Sequence, residues 1–215
     1  MNYIQAVNSV LRRLRETEVS SVADNAYSKM IGEFVNDAKR QVEDAYAWNA
    51  LTETLSATTT ADVFNYVLVG SGQRFRVMDV LNDTTNMIMK NASSDQMNEW
   101  YVLSENQKGK PYYYNFNGVD SNGDTQVDIY PVPDGAYNIR FNVFKPQETL
   151  TTDASRIYVP SEPVVYGATA RALAERGEDG GILSGEMYAL YLQSLSDAIA
   201  IESSRYIEEG EWISV

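Results

Sequence analysis

The sequence predicts an α+β protein: N- and C-terminal helices form a helical bundle, with an antiparallel β sandwich or barrel inserted between them. Three observations predict it. Apolar residues recur at helical spacing up to about residue 51 and again after about residue 157. Between those points the period drops to two, in short runs rich in β-branched and aromatic residues. Turn-forming groups separate the runs: Gly70-Ser71-Gly72, Asn82-Asp83, Asn117-Gly118, Asn122-Gly123 and Asp134-Gly135. The expected organisation is a discontinuous helical domain of residues 1–51 and 157–206, a β insertion of residues 52–156, and a C-terminal tail of residues 207–215.

Each element has its own signal. Ile4, Val7, Leu11 and Leu14 step by 3, 4 and 3, which is one face of a helix over residues 3–15. Ser21 with Asp24 reads as the cap of a second helix, whose stripe Tyr27, Ile31, Phe34 with Val35, Ala38, Val42 and Ala45 runs to about Trp48. The opposite face carries Lys29, Glu33, Asp37, Lys39, Arg40 and Glu43 and is expected to be solvated. Strands are expected at residues 52–60, 64–69, 74–81, 87–91 and 112–116, and around the alternations Val127/Ile129 and Ile139/Phe141/Val143. Residues 94–105 interrupt them, with Met97, Trp100 and Tyr101 placed for a short helix. After Tyr158-Val159-Pro160 the helical period returns, with Ser161 as N-cap, Pro163 in the first turn and Gly177 as terminator. Val164, Ala168, Ala172 and Leu173 make a face small enough for a neighbouring helix to approach closely. The last helix, residues 183–206, carries Met187, Leu190, Tyr191, Leu195, Ala198, Ile199 and Ile201. So broad an apolar band is expected to be covered on more than one side.

Composition excludes several function classes. The chain has 215 residues, 44% of them hydrophobic, and neither cysteine nor histidine. A chain of this size removes roughly 70% of its unfolded surface from water, so a core forms without crosslinks. Disulfides, thiolate nucleophiles, Ser-His-Asp triads and His- or Cys-ligated metals are impossible within it, and no cofactor is implied. Carboxylate, lysine or tyrosine chemistry remains open. The net charge of −13 repels a phosphate backbone, and the 17 basic residues are scattered apart from Arg12, Arg13 and Arg15. Those three end the first helix, where cations complement the helix dipole. No stretch approaches the ~18 apolar residues of a membrane span, and residues 1–5 do not read as a signal peptide, so a soluble protein with no membrane partner is expected.

The candidate sites are few. Asp120, Asn122 and Asp124, followed by Gln126 and Asp128, place oxygens at alternate positions as a calcium loop does. Thr125 stands where such a loop has Gly and Pro131 where it has Glu, so an ordinary hairpin turn is the preferred reading and no metal site is assigned. Carboxylate pairs of a glycosidase kind are inevitable among 30 acidic residues and assign no catalytic residue. Tyr112-Tyr113-Tyr114 could stack on sugars or bases, but alternation along a strand keeps all three from sharing a face. The tail sets Ile207, Trp212, Ile213 and Val215 around an acidic spacer. A large aromatic there suits a partner's groove, and the other reading folds Trp212 back onto its own helices.

Several stretches in order carry a resemblance. They are the opening helix Ala6-Val7-Asn8-Ser9-Val10-Leu11, and a long helix passing Arg40-Gln41-Val42-Glu43 to Trp48-Asn49 with a strand directly after. Next come Asp128-Ile129-Tyr130-Pro131-Val132-Pro133-Asp134-Gly135 and the strand of residues 137–144. Last is Val159-Pro160-Ser161-Glu162-Pro163, leading into an Ala-rich helix that ends in an acidic turn at Asp179. In this order the chain resembles the head-to-tail adaptor (connector, or head-completion) proteins of tailed double-stranded DNA bacteriophages. The resemblance implies a structural virion protein and no enzyme. It implies a twelve-copy ring under the portal, with helices in the ring wall and C-terminal segments reaching the portal. The lower surface would receive the tail nozzle or tube, around a channel through which double-stranded DNA passes. The place implied is the head–tail junction of the virion, after synthesis in the host cytoplasm. An acidic wall fits that role, because it lets DNA slide rather than stick. The alternative is a β-rich tail or carbohydrate-binding module with a helical oligomerisation region; a third reading is a carboxylate hydrolase.

Overall fold

The computed structural model describes residues 1–103, 107–177 and 180–205. The chain is α+β, and its described residues fall into two compact units. One unit is Met1–Leu51 with the described residues from Pro146 onward; the other is Thr52–Lys145.

In the first unit, α1 (Tyr3–Arg13) opens on a reciprocal cap. Asn2 Oδ1 accepts from the Gln5 amide, and the Asn2 amide donates to Gln5 Oε1, both at 3.0 Å. Helix α2 (Ala26–Ala45) is capped the same way by Asn25 and Ser28, not by the predicted Ser21. An N-cap must itself leave the helical region, and Asn25, at φ −147° and ψ 171°, does so. Asp24 folds the turn before it, its carboxylate accepting from the Ser20 and Ser21 amides at 2.8 and 3.0 Å. Helix α4 (Ser161–Arg176) packs on α1, α2 and α5 (Ile182–Ser203). Ser161 is its first helical residue and Pro160 holds the cap position. At its far end Gly177 takes φ 64° and its amide donates to Leu173 O, as a terminating glycine should.

The small face of α4 permits close approach. A Cβ on Gly167 would stand 3.2 Å from Ala38 Cβ and 3.1 Å from the Tyr191 ring, so α2 and α5 both close onto this point. Ala6, Val7 and Val10 of α1, Ile31, Val35 and Val42 of α2, and Val164, Ala168 and Ala172 of α4 share one core. Leu150, Ile157 and Val159, from the segment leading into α4, complete it.

One expectation on α2 is overturned. Lys39 and Glu43 do not lie on a solvated face; they form an ion pair of 3.0 Å with side chains only 3% and 1% exposed. Lys39 Nζ also donates to the carbonyls of Gln147 and Glu148 at 2.8 and 3.0 Å, while Glu43 Oε1 accepts from the Gln147 amide. The segment entering from Pro146 covers this side of α2, and the pair satisfies backbone groups that burial would otherwise strand.

The second unit holds two four-stranded sheets. One runs in the order β1 (Thr52–Thr58), β10 (Asn138–Phe144), β3 (Arg76–Asn82), β4 (Met87–Ile88). The other runs β2 (Asn65–Val67), β8 (Thr125–Tyr130), β7 (Tyr113–Val119), β5 (Lys90–Asn91). The short strands β6 (Lys108–Gly109) and β9 (Val132–Pro133) pair separately. Pairing is antiparallel except for β5–β7 and β6–β9, which are parallel. The described strands do not close into a barrel. The run predicted as a single strand at residues 87–91 is divided at buried Met89, so that β4 edges the first sheet and β5 the second. Leu55, Val80, Ile139, Phe141 and Val143 of the first sheet share a core with Tyr114, Val127 and Ile129 of the second. Helix α3 (Ser94–Asn98) continues as a π-helical turn, Glu99–Leu103. It buries Met97 against Ala92 and Tyr130.

Candidate partner-binding surface

The helical unit carries a groove of about 770 Å³. Its walls are the start of α4, the second half of α5 and the turn after α2. Trp48 anchors that turn: its indole is buried and donates to Val42 O at 2.6 Å, and Tyr46 meets it edge-on at 5.5 Å. The Asn49 amide donates to Glu202 Oε1 at 2.9 Å, which ties the turn to α5, and Glu202 Oε2 pairs with Arg205 at 3.0 Å. Inside, Trp48, Tyr158 and Tyr166 supply aromatic surface, Leu190 and Ile201 aliphatic surface, and Glu162 and Asp197 carboxylates. An apolar centre with a polar rim is the general make-up of protein–protein interfaces.

Helix α5 supplies one wall and has more apolar surface than the described residues of its unit cover. Tyr191 and Glu202 are its only fully buried residues, while Ile182, Leu183, Tyr188, Leu190, Leu192 and Ile201 are all exposed. The sequence showed the breadth of this band; which residues face outward depends on where α4 crosses it.

The sequence-derived candidates are distributed as follows. Asp120, Asn122 and Asp124 form the turn between β7 and β8. Asp120 Oδ1 accepts from the Asn122 and Asp124 amides at 2.8 and 2.9 Å. The Asp124 carboxylate reaches across to the Gly72 and Gly70 amides at 3.0 and 2.9 Å, which hold its carboxyl below the usual carboxylate range. Both carboxylates are thus occupied by backbone donors. The tyrosine run alternates as strand geometry requires. Tyr114 enters the core between the sheets, while Tyr113 packs on Trp100 at 4.9 Å. Trp100 in turn stacks on Tyr130 at 4.6 Å and 18°. Tyr101 donates its hydroxyl to Ile129 O at 2.5 Å, and burial raises its pKa far above the usual phenol value. Tyr112 lies under the Lys90 ammonium at 5.4 Å. Arg12 pairs with Glu18 at 2.8 Å and Arg13 lies over the Tyr166 ring at 5.2 Å. Ile207, Trp212, Ile213 and Val215 lie outside the described residues.

The chain is an α+β protein whose helical unit carries this groove and an exposed apolar helix, and its class comes from the comparison with known families. The family model described as SU10 adaptor protein matches residues 1–210, so the chain belongs to the SU10 adaptor protein family. This is a family of bacteriophage structural adaptors and not an enzyme family, and membership implies a virion component that oligomerises and meets portal and tail. No curated protein matches the chain. Among the described residues, no helix is long and apolar enough to cross a membrane.

Proposed function

We propose that the protein forms a ring, of twelve copies, that joins the portal to the tail nozzle or tail tube and surrounds the DNA exit channel. The family match carries this reading, because it runs through both compact units, over residues 1–210. The charge of −13 supports the channel role: a wall of like charge leaves double-stranded DNA free to slide. In this reading the helical parts bundle into the ring wall and the paired sheets of the insertion form a sandwich. The tail, with Ile207, Trp212, Ile213 and Val215, anchors to the portal, and no site for a metal or cofactor is needed.

The test is co-sedimentation with portal rings of the same phage, comparing the full chain with one truncated after Tyr206. Stoichiometric co-sedimentation of the full chain alone is expected. Co-sedimentation of both forms would keep the adaptor and remove the anchor. Association of neither with intact portal would overturn the adaptor reading.

A further inference from the structure

We propose that α5 is the seam between successive copies in the ring, with the Tyr188–Leu192 flank of one copy seated in the groove beside Leu190 and Ile201 of the next. This rests on the ring reading above and adds to it the surface and its polarity.

Two separate flanks of α5 are left uncovered by the described residues. Leu183, Leu190 and Ile201 lie seven and eleven residues apart, which returns each to the same side of a helix. Tyr188 and Leu192, four apart, lie on the other side of the line that α4 covers. The exposures are 41% for Leu190 and 60% for Ile201 on the first flank, against 52% for Tyr188 and 49% for Leu192 on the second. A single partner helix would cover one flank and leave the other in water. A helix with two apolar flanks is satisfied when an identical neighbour lies on each side, a head-to-tail contact that makes a ring when its rotation closes.

Shape and chemistry agree. The first flank forms one wall of the groove, so there is a recess for the second flank to enter. Tyr188 packs on buried Tyr191 at 5.7 Å, which gives it the rigidity of an aromatic anchor. Between Ile182 and Ser203 the charged residues are only Glu186, Asp197 and Glu202.

The absence of native cysteine allows a direct test. Leu190→Cys and Leu192→Cys proteins carry different tags, are assembled on portal rings separately and as a mixture, and are then treated with a short bismaleimide. Both positions are half-exposed, so unchanged Tm values are expected. Cross-linked dimers carrying both tags, at least tenfold over either variant alone, are the expected result. Strong dimers from one variant alone would mean a two-fold contact of α5 with itself and would overturn the seam. Rings that sediment normally but yield no cross-link would place the seam elsewhere and leave the ring reading standing. A failure of the unmodified protein to form rings on portal would overturn both.

Discussion

The Lys39–Glu43 pair on α2 shows what a single residue can decide. Breaking one partner of a buried pair leaves the other charge uncompensated, at a typical cost of ~3–5 kcal/mol. Glu43→Ala should therefore destabilise the helical unit by about that amount in urea titration, while Lys39→Met with Glu43→Leu should recover most of the loss. A double variant no more stable than the single one would mean that the carbonyl contacts of Lys39, not the pairing, hold Gln147 and Glu148 in place. Asp124 makes a second, pH-dependent case. Its folded pKa lies below the ordinary 3.8, so its contribution is present above 3.8 and disappears as pH falls through the lower folded value. The stability gap between wild type and Asp124→Asn should be open near neutral pH and close in strong acid; a gap that stays constant would show that the carboxylate charge is irrelevant to the turn. The Asp120-to-Asp124 turn was legible as a hairpin, because turn chemistry is local. The fate of Lys39 and Glu43 was not. They flank the stripe residues Ala38 and Val42, and only the distant segment at Gln147 makes that flank an interior.

At the scale of elements, periodicity served wherever a single face is buried. The first helix, the stripe of α2, the small face of α4 and the alternation of β10 stand where the sequence puts them, whereas β8 is buried on both faces from Val127 to Tyr130. Boundaries were harder, since caps depend on which backbone position turns extended: Asn25 took the role expected of Ser21. The sheet edges were least legible, because Met89 divides one apolar run between two sheets and no local signal marks the division. Helix packing gives a sharper prediction. A Cβ on Gly32 would overlap the Tyr3 hydroxyl and come within 2.8 Å of Val22. Gly32→Ala gains about 1 kcal/mol of helix propensity, yet overpacking of this severity costs ~1–3 kcal/mol and displaces α1. The variant should lose Tm, and adding Tyr3→Phe, which removes the overlapping oxygen, should restore part of it. A Tm at or above wild type for Gly32→Ala would mean that α1 yields without cost.

At the scale of the whole molecule, the sequence carried the class of protein and the breadth of the α5 band, but not the surface on which copies meet. A seam has no local pattern of its own; it becomes visible as apolar surface left over once α4 has covered its share. Net charge then sets how such a seam responds to salt. Each copy carries −13, so bringing copies together opposes like charges, while an α5 seam contains almost no ion pairs to weaken. Raising ionic strength from ~0.1 M to ~1 M shortens the screening length from about 10 Å to about 3 Å. The repulsion is thereby removed, while apolar burial is untouched. Ring assembly should therefore strengthen with salt, read as a larger ring fraction by sedimentation at equal protein concentration. A seam made of salt bridges would behave in the opposite way, dissociating as salt rises. Loss of rings at ~1 M salt would accordingly move the contact from the apolar flanks of α5 to charged surface elsewhere on the chain, whatever the copy number proves to be.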